Sequence, residues 1–174
     1  MPDQDKTLVQ ALAQVPWLAQ CGETALVALS AQAHAEHVAD GAMVAWRGRH
    51  TAHLRVVAQG VLELSITNAA GKRHVINRMV QGEVFGLIPV VDEQPLIHDA
   101  CAKGAVKLVF VPRAAFLGAV QAHPDLALQV MRLLCSRARW LYDSLAAQSL
   151  QALPLRVARV LVALSEGAAA ALVR

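Results

Sequence analysis

Cysteine is scarce in this chain of 174 residues: Cys21, Cys101 and Cys135 stand far apart, are odd in number and include no CxxC pair. That argues against a secreted disulfide framework and points to a reducing compartment, the cytoplasm. Charge is also sparse, at 17% against 56% hydrophobic residues, which excludes intrinsic disorder and leaves room for burial against a partner chain. The formal charge of +3 falls well short of the Lys/Arg concentration that a nucleic-acid groove demands, so this chain is not itself expected to bind DNA. No run approaches the roughly 18 apolar residues of a membrane span. The amino end, Met1-Pro2-Asp3-Gln4-Asp5, lacks the basic start and apolar core of a signal peptide, so no membrane is expected as a partner.

Catalytic signatures are missing as well. There is no Gly-x-Ser-x-Gly elbow, and Ser65, Ser144 and Ser149 have no ordered histidine partner that sequence reveals. The phosphate loop Gly-x-x-x-x-Gly-Lys-Ser/Thr is absent. His34/His37 and His50/His53 have a spacing seen in metal sites, but residues three apart on a strand face opposite ways, so all four read as solvated. The HxH, glutamate and later histidine of a metal-dependent cupin are not found. Neither enzymatic activity nor a metal is expected.

What the chain has is a ladder of glycines, Gly48, Gly60, Gly71, Gly82 and Gly86, set through short β-branched segments. Turn signals at such steps suggest a tightly wound antiparallel sandwich or barrel. Strands are expected at Met43 to Trp46, His53 to Ala58, Val61 to Thr67, His74 to Met79, Ile97 to Lys103 and Val106 to Val111, after a start near His34 to Ala39. Asn68-Ala69-Ala70-Gly71-Lys72 is the clearest hairpin turn. Before the sheet, Leu8, Leu12, Val15 and Leu18 recur at helical spacing interrupted by Pro16, and Glu23 to Ser30 reads as a short helix. After it, Pro112 fits the first turn of a helix through Val120, and Pro124 opens a long one that runs to about Leu150.

That long helix is apolar over an unusually broad face. Leu126, Leu133 and Trp140 repeat every seven residues, Leu134 and Leu141 follow one position on, and Val130 and Leu145 fill between them. A helix covering only its own sheet needs one stripe, so the extra width suggests packing on a second copy. The expected seam is Leu126, Val130, Leu133, Leu134, Arg137, Trp140, Leu141 and Leu145, in a homodimer. An ordinary core helix in a monomer is the alternative. Arg132, Ser136, Arg139 and Asp143 form the polar side. A further helix starts at Leu153-Pro154 and stops at Gly167.

From about Val15 to Gly167 the residues resemble the CRP/FNR superfamily of bacterial transcription regulators. The resemblance rests on Gly48, Gly60, the Gly71-Lys72 turn, Gln81-Gly82-Glu83 followed by Phe85-Gly86, Pro112 to Phe116, and His123-Pro124-Asp125 opening the long helix. It implies a mainly β fold with helices (α+β), an eight-stranded cyclic-nucleotide-binding-like β-roll (a double-stranded β-helix or jelly roll), and a winged helix-turn-helix that binds DNA. The expected organisation is N-terminal helices and sensor roll in 1–122, the dimerisation helix in 123–150, and in 151–174 the first helix of a DNA-binding domain whose remainder is absent. Contact with DNA would then come only through a C-terminal domain outside this chain.

Members that bind cyclic AMP follow the glycine at Gly86 with a glutamate for the ribose, and an Arg-Ser or Arg-Thr pair later grips the phosphate. Here Leu87 stands in the first place and Leu96-Ile97 or Ile97-His98 in the second, and Leu141-Tyr142 replaces the Thr-Ser that meets the adenine. The usual cyclic AMP contacts are therefore not expected. The resulting pocket, Phe85, Gly86, Leu87, Ile88, Ile97, His98, Leu141 and Tyr142, suits a small apolar or aromatic effector, unless these side chains merely fill the roll. The iron-sulfur cluster of oxygen-sensing members needs four cysteines, and only Cys21 precedes the roll, so a cluster is excluded. Haem, as in gas-sensing relatives, finds no Cys or His ligand at Leu87-Ile88. A stand-alone β-roll dimer acting by protein contact and, behind it, a haem or gas sensor are the other functional alternatives.

Overall fold

The computed structural model describes residues 2–150 and 161–162, with side chains described for 8–146 and 161–162. Two long antiparallel strands, β3 (His53–Thr67) and β6 (Asp99–Pro112), carry the sheet, running from His53 opposite Pro112 to Ser65 opposite Asp99. Around them lie β1 (His34–Val38) on β6, β2 (Met43–Ala45) on β6, β4 (Arg73–Met79) on β3, and the two-residue β5 (Val84–Phe85) on β3. All pairings are antiparallel. The sheet has six strands where eight were expected, because each long strand joins two of the expected segments. The breaks read from the sequence at Ala58–Gly60 and Gly104–Ala105 are bends within continuous strands, with register slips between Val57 and Gln59 and between Gln59 and Val61. Taken as two arms each, the long strands restore the eight-strand pattern.

Gly60 shows why glycine is needed at such a bend. Its φ is +87°, and a Cβ placed there would lie 2.5 Å from the Ala105 carbonyl oxygen on the facing strand. The expected hairpin turn is present: the Asn68 amide donates to the Lys72 carbonyl at 3.0 Å, and Asn68 Oδ1 accepts from the amides of Ala70 and Lys72.

The strands alternate between two buried sides. Inward, Val57, Leu62, Leu64, Phe85, Leu96, Val106 and Leu108 form one apolar cluster inside the roll. Outward, Leu54, Val56, Val109 and Val111 are buried on the other side, where α1 (Pro2–Ala13) and α4 (Arg113–Ala122) meet the sheet and α2 (Glu23–Ser30) meets both helices. At about 25 cal/mol per Å2 of apolar surface, each fully buried leucine or valine of this double-sided sheet adds roughly 1.5–3 kcal/mol. Pro112 precedes α4 as its cap residue rather than sitting in its first turn, since proline lacks only the N–H that no helix would use there.

Two short elements were not foreseen from the sequence: β5 and the helix α3 (Leu87–Asp92) that follows it. α5 (Pro124–Leu150) has the expected limits. The expected helix from Pro154 lies outside the described residues except for Leu161 and Val162, which are helical and exposed. The chain divides into two compact units, Met1–Val130 and Met131–Arg174, so the division falls inside α5. No described helix is long and apolar enough to cross a membrane.

Candidate functional site

The turn from β5 into α3 is the focus of the expected pocket. Gly86 makes it possible: its φ is +85°, and a Cβ there would press the His53 carbonyl at 3.2 Å. Phe85, just before it, is buried in the roll cluster, and its ring centroid lies 5.7 Å from that of His98. Leu87, just after it, is 1% exposed. Phe85 and His98 are thus brought together with Gly86 and Leu87 beside them in sequence.

Ile88 and Ile97, expected in the pocket, do not join this group. On α3 the buried positions are Leu87, Pro89 and Val90, which turns Ile88 outward. Leu96 points into the roll cluster, and Ile97, one residue on in extended chain, faces the opposite way and is exposed. Leu141 and Tyr142 belong to the second unit, where both are exposed.

α5 also requires a correction. Leu126 and Val130 were placed on the partner seam, but both are buried within the protomer, in the first unit, so neither is free for a second copy. Leu133, Leu134 and Arg137 are half-buried. Trp140, Leu141 and Leu145 are 62%, 54% and 51% exposed, an apolar set that the protomer leaves to solvent.

Sequence reasoning missed Arg55. It lies on β3 with the same inward parity as Val57, opposite Phe85 on one side and Phe110 on the other. Its guanidinium carbon sits 5.7 Å from the Phe85 ring centre and 5.3 Å from that of Phe110. Nη1 donates to Thr51 Oγ1 at 2.9 Å and to the His53 carbonyl at 3.3 Å, whereas the buried Nε has no hydrogen-bond partner. Burial holds its pKa below the usual arginine value, with Glu36 opposing. The available signal was the alternation His53, Arg55, Val57, which puts a cation on the side that the valine marks as interior.

The histidines pair differently from their sequence spacing. His34 on β1 and His53 on β3 both pack on Phe110 of the strand between them, at 5.1 and 6.0 Å, and lie 5.9 Å from one another. His34 Nε2 also contacts Glu36 Oε1 at 3.1 Å. His53 is therefore not a freely solvated side chain. Burial, then the charge of Arg55, then His34 push its pKa down, against Glu36. Among the described residues, no group of three or more His, Cys, Asp or Glu side chains could hold a metal ion.

Below this region a cleft of about 360 Å3 is lined by His50, Thr51, Ala52, Pro89, Glu93 and Arg113, and shares Thr51 with the Arg55 cluster. Arg113 ties it together: Nε donates to the Val90 carbonyl at 2.9 Å, and Nη2 pairs with Glu93, which holds a left-handed φ of 63° at the end of α3.

The roll, its short helix and this turn match a known family model: residues 35–123 correspond to the family described as the cyclic nucleotide-binding domain. The chain belongs to the cyclic nucleotide-binding domain family. Over 158 residues it is 26% identical to the HTH-type transcriptional regulator Cmr of Mycobacterium tuberculosis, covering 86% of this chain and 64% of that protein. The chain thus spans about two thirds of that curated relative, just under. Among solved structures, the sensor domain of the transcriptional regulator DNR from Pseudomonas aeruginosa superposes with a TM-score of 0.70 at 17% identity, covering 86% of this chain and 97% of that one. The Thermus thermophilus Catabolite Activator Protein gives 0.69 at 24% identity, over 77% of this chain and 63% of the other. The regulatory domain of Toxoplasma gondii PKA, crystallised with cAMP, gives 0.67 at 18% identity over 79% of this chain and 51% of that one. At these identities the superpositions establish the fold of this cyclic nucleotide-binding domain.

Proposed function

We propose that this chain is the effector-sensing and dimerising part of a cytoplasmic CRP/FNR-type transcriptional regulator, and that its roll does not hold cyclic AMP in the usual way. The observation that carries the proposal is Leu87, 1% exposed where cyclic AMP-binding members place a glutamate. A buried hydrocarbon offers nothing to a ribose hydroxyl, and in neither register, Leu96-Ile97 or Ile97-His98, does the chain supply the arginine that grips the phosphate. Phe85, Gly86, Leu87 and His98 are the roll's contribution to the proposed pocket, and the effector is a small aromatic molecule.

Exposed Trp140, Leu141 and Leu145, with half-buried Leu133, Leu134 and Arg137, form the proposed seam with a second copy. An effector that fits the roll better in one arrangement of paired α5 helices than in another shifts the population between them. DNA binding would belong to a longer protein, as the description of Cmr as an HTH-type regulator suggests. A thermal-shift survey of metabolites, with light scattering for mass, tests this reading. A dimer stabilised by an aromatic compound supports it; a monomer indifferent to every compound contradicts it.

A further inference from the structure

Arg55 is a cation largely inside the roll, yet it has no carboxylate within ion-pair distance among the described residues. The acid that most affects it, Glu36, already contacts His34 at 3.1 Å. A guanidinium withdrawn from water without a counter-charge is costly, and a fold retains one more readily where a negative group is delivered to it. Its remaining geometry is specific. Nη1 is committed to Thr51 and His53, while the buried Nε is unpartnered and Nη2 makes none of the described hydrogen bonds. The Nε–Nη2 edge is the one that takes the two oxygens of a carboxylate side by side. Phe85 and Phe110 lie against the guanidinium, with His98 against Phe85 and His34 stacked on Phe110, so the Nε–Nη2 edge is set in aromatic surroundings that suit a planar group. Nη1 also lies 3.7 Å from where a Gly86 Cβ would be, which puts the guanidinium at the β5–α3 turn itself.

We propose that Arg55 is the charge anchor of the roll's effector site and that the effector is a small aromatic carboxylate. This rests on the reading of the roll as a sensor and adds the charge of what it senses. His53 does not compete for the carboxylate, because burial and the neighbouring Arg55 favour its neutral form.

The test compares benzoate with benzamide, its uncharged isostere, on the full chain and on Arg55→Met. Benzoate at about 10 mM is expected to raise the melting midpoint of the unaltered chain by roughly 2–4 °C, and benzamide to leave it in place. Arg55→Met is expected to melt at or above the unaltered chain without ligand and to lose the benzoate shift. Should that variant fail to fold, Arg55→Lys, which keeps the charge but loses the fork, is expected to show less than half the shift. Equal shifts with benzoate and benzamide, or a benzoate shift that survives in Arg55→Met, would overturn the anchor while leaving the roll a sensor. No benzoate shift in the unaltered chain, with Arg55→Met melting lower, would make Arg55 a packing residue and overturn the inference; the metabolite survey then decides the sensor reading separately.

Discussion

Asp125, the second residue of α5, accepts a hydrogen bond at 3.2 Å from the backbone amide of Gly22, the residue just before α2. One carboxylate thereby serves two helices: its own first turn, where negative charge is favourable, and the start of another far away in sequence. The Gly22 amide is the main reason its pKa is lowered, with burial opposing and the Leu126 amide assisting.

A pH dependence follows. A carboxyl whose folded pKa lies below its unfolded value contributes stability that is complete above the ordinary carboxylate range and lost as pH falls through the folded pKa. Asp125→Asn should lower the melting midpoint at neutral pH and flatten its decline on the acid side. Thermal unfolding of both proteins between pH 7 and the acid limb checks this; parallel curves would contradict it.

The bend at Gly60 should be intolerant of any side chain. Gly60→Ala meets both a φ of +87° and the Ala105 carbonyl at 2.5 Å, and is expected to cost more than ~3 kcal/mol or to prevent folding. Gly71→Asn is the contrast: its φ of +78° suits asparagine and a Cβ meets nothing within 4 Å, so less than about 1 kcal/mol is expected in urea unfolding.

Glu63 on β3 is buried, with Arg73 Nη2 at 3.1 Å and Arg78 Nε at 3.3 Å from its two carboxylate oxygens. Either arginine alone satisfies the charge, so Arg73→Ala and Arg78→Ala should each cost about 1 kcal/mol or less. Removing both strands a buried carboxylate and should cost ~3 kcal/mol, more than the two added together. A double-mutant cycle in denaturant reads the excess directly.

The seam predicts a change in mass rather than in fold. Leu141→Glu with Leu145→Glu alters positions already exposed in the protomer, so folding should persist while dimers separate, because the charges would be buried unpaired between copies. Light scattering should read a dimer for the unaltered chain and a monomer for the variant. An unchanged mass would refute the seam.

Particular residues show how far the sequence could be read. Glu23–Ser30, Pro124–Leu150 and the Asn68 turn were legible because their signals are local: a short run at helical spacing, a proline at a helix start, an asparagine side chain bonding its own turn. α3 was not, because Leu-Ile-Pro-Val-Val-Asp carries little helical preference, and the Arg113 bonds to Val90 and Glu93 hold its end from outside. The gaps at Gly60 and Gly104 looked like turns because glycine marks a bent strand and a hairpin alike. In the candidate site, Phe85, Gly86, Leu87 and His98 were legible from the resemblance. Arg55 was not, because its ring neighbour Phe110 arrives from a distant strand. Along α5, periodicity gave the width of the apolar face but not that Leu126 and Val130 are already buried within the protomer.

Calorimetric titration of the full chain with cyclic AMP is the most direct measurement of the central claim, that a cyclic nucleotide-binding domain with Leu87 at this turn has given up its nucleotide. No saturable heat is predicted up to about 1 mM, the level at which binding is worth only ~4 kcal/mol. A one-to-one isotherm with a micromolar Kd, ~8 kcal/mol, would contradict it.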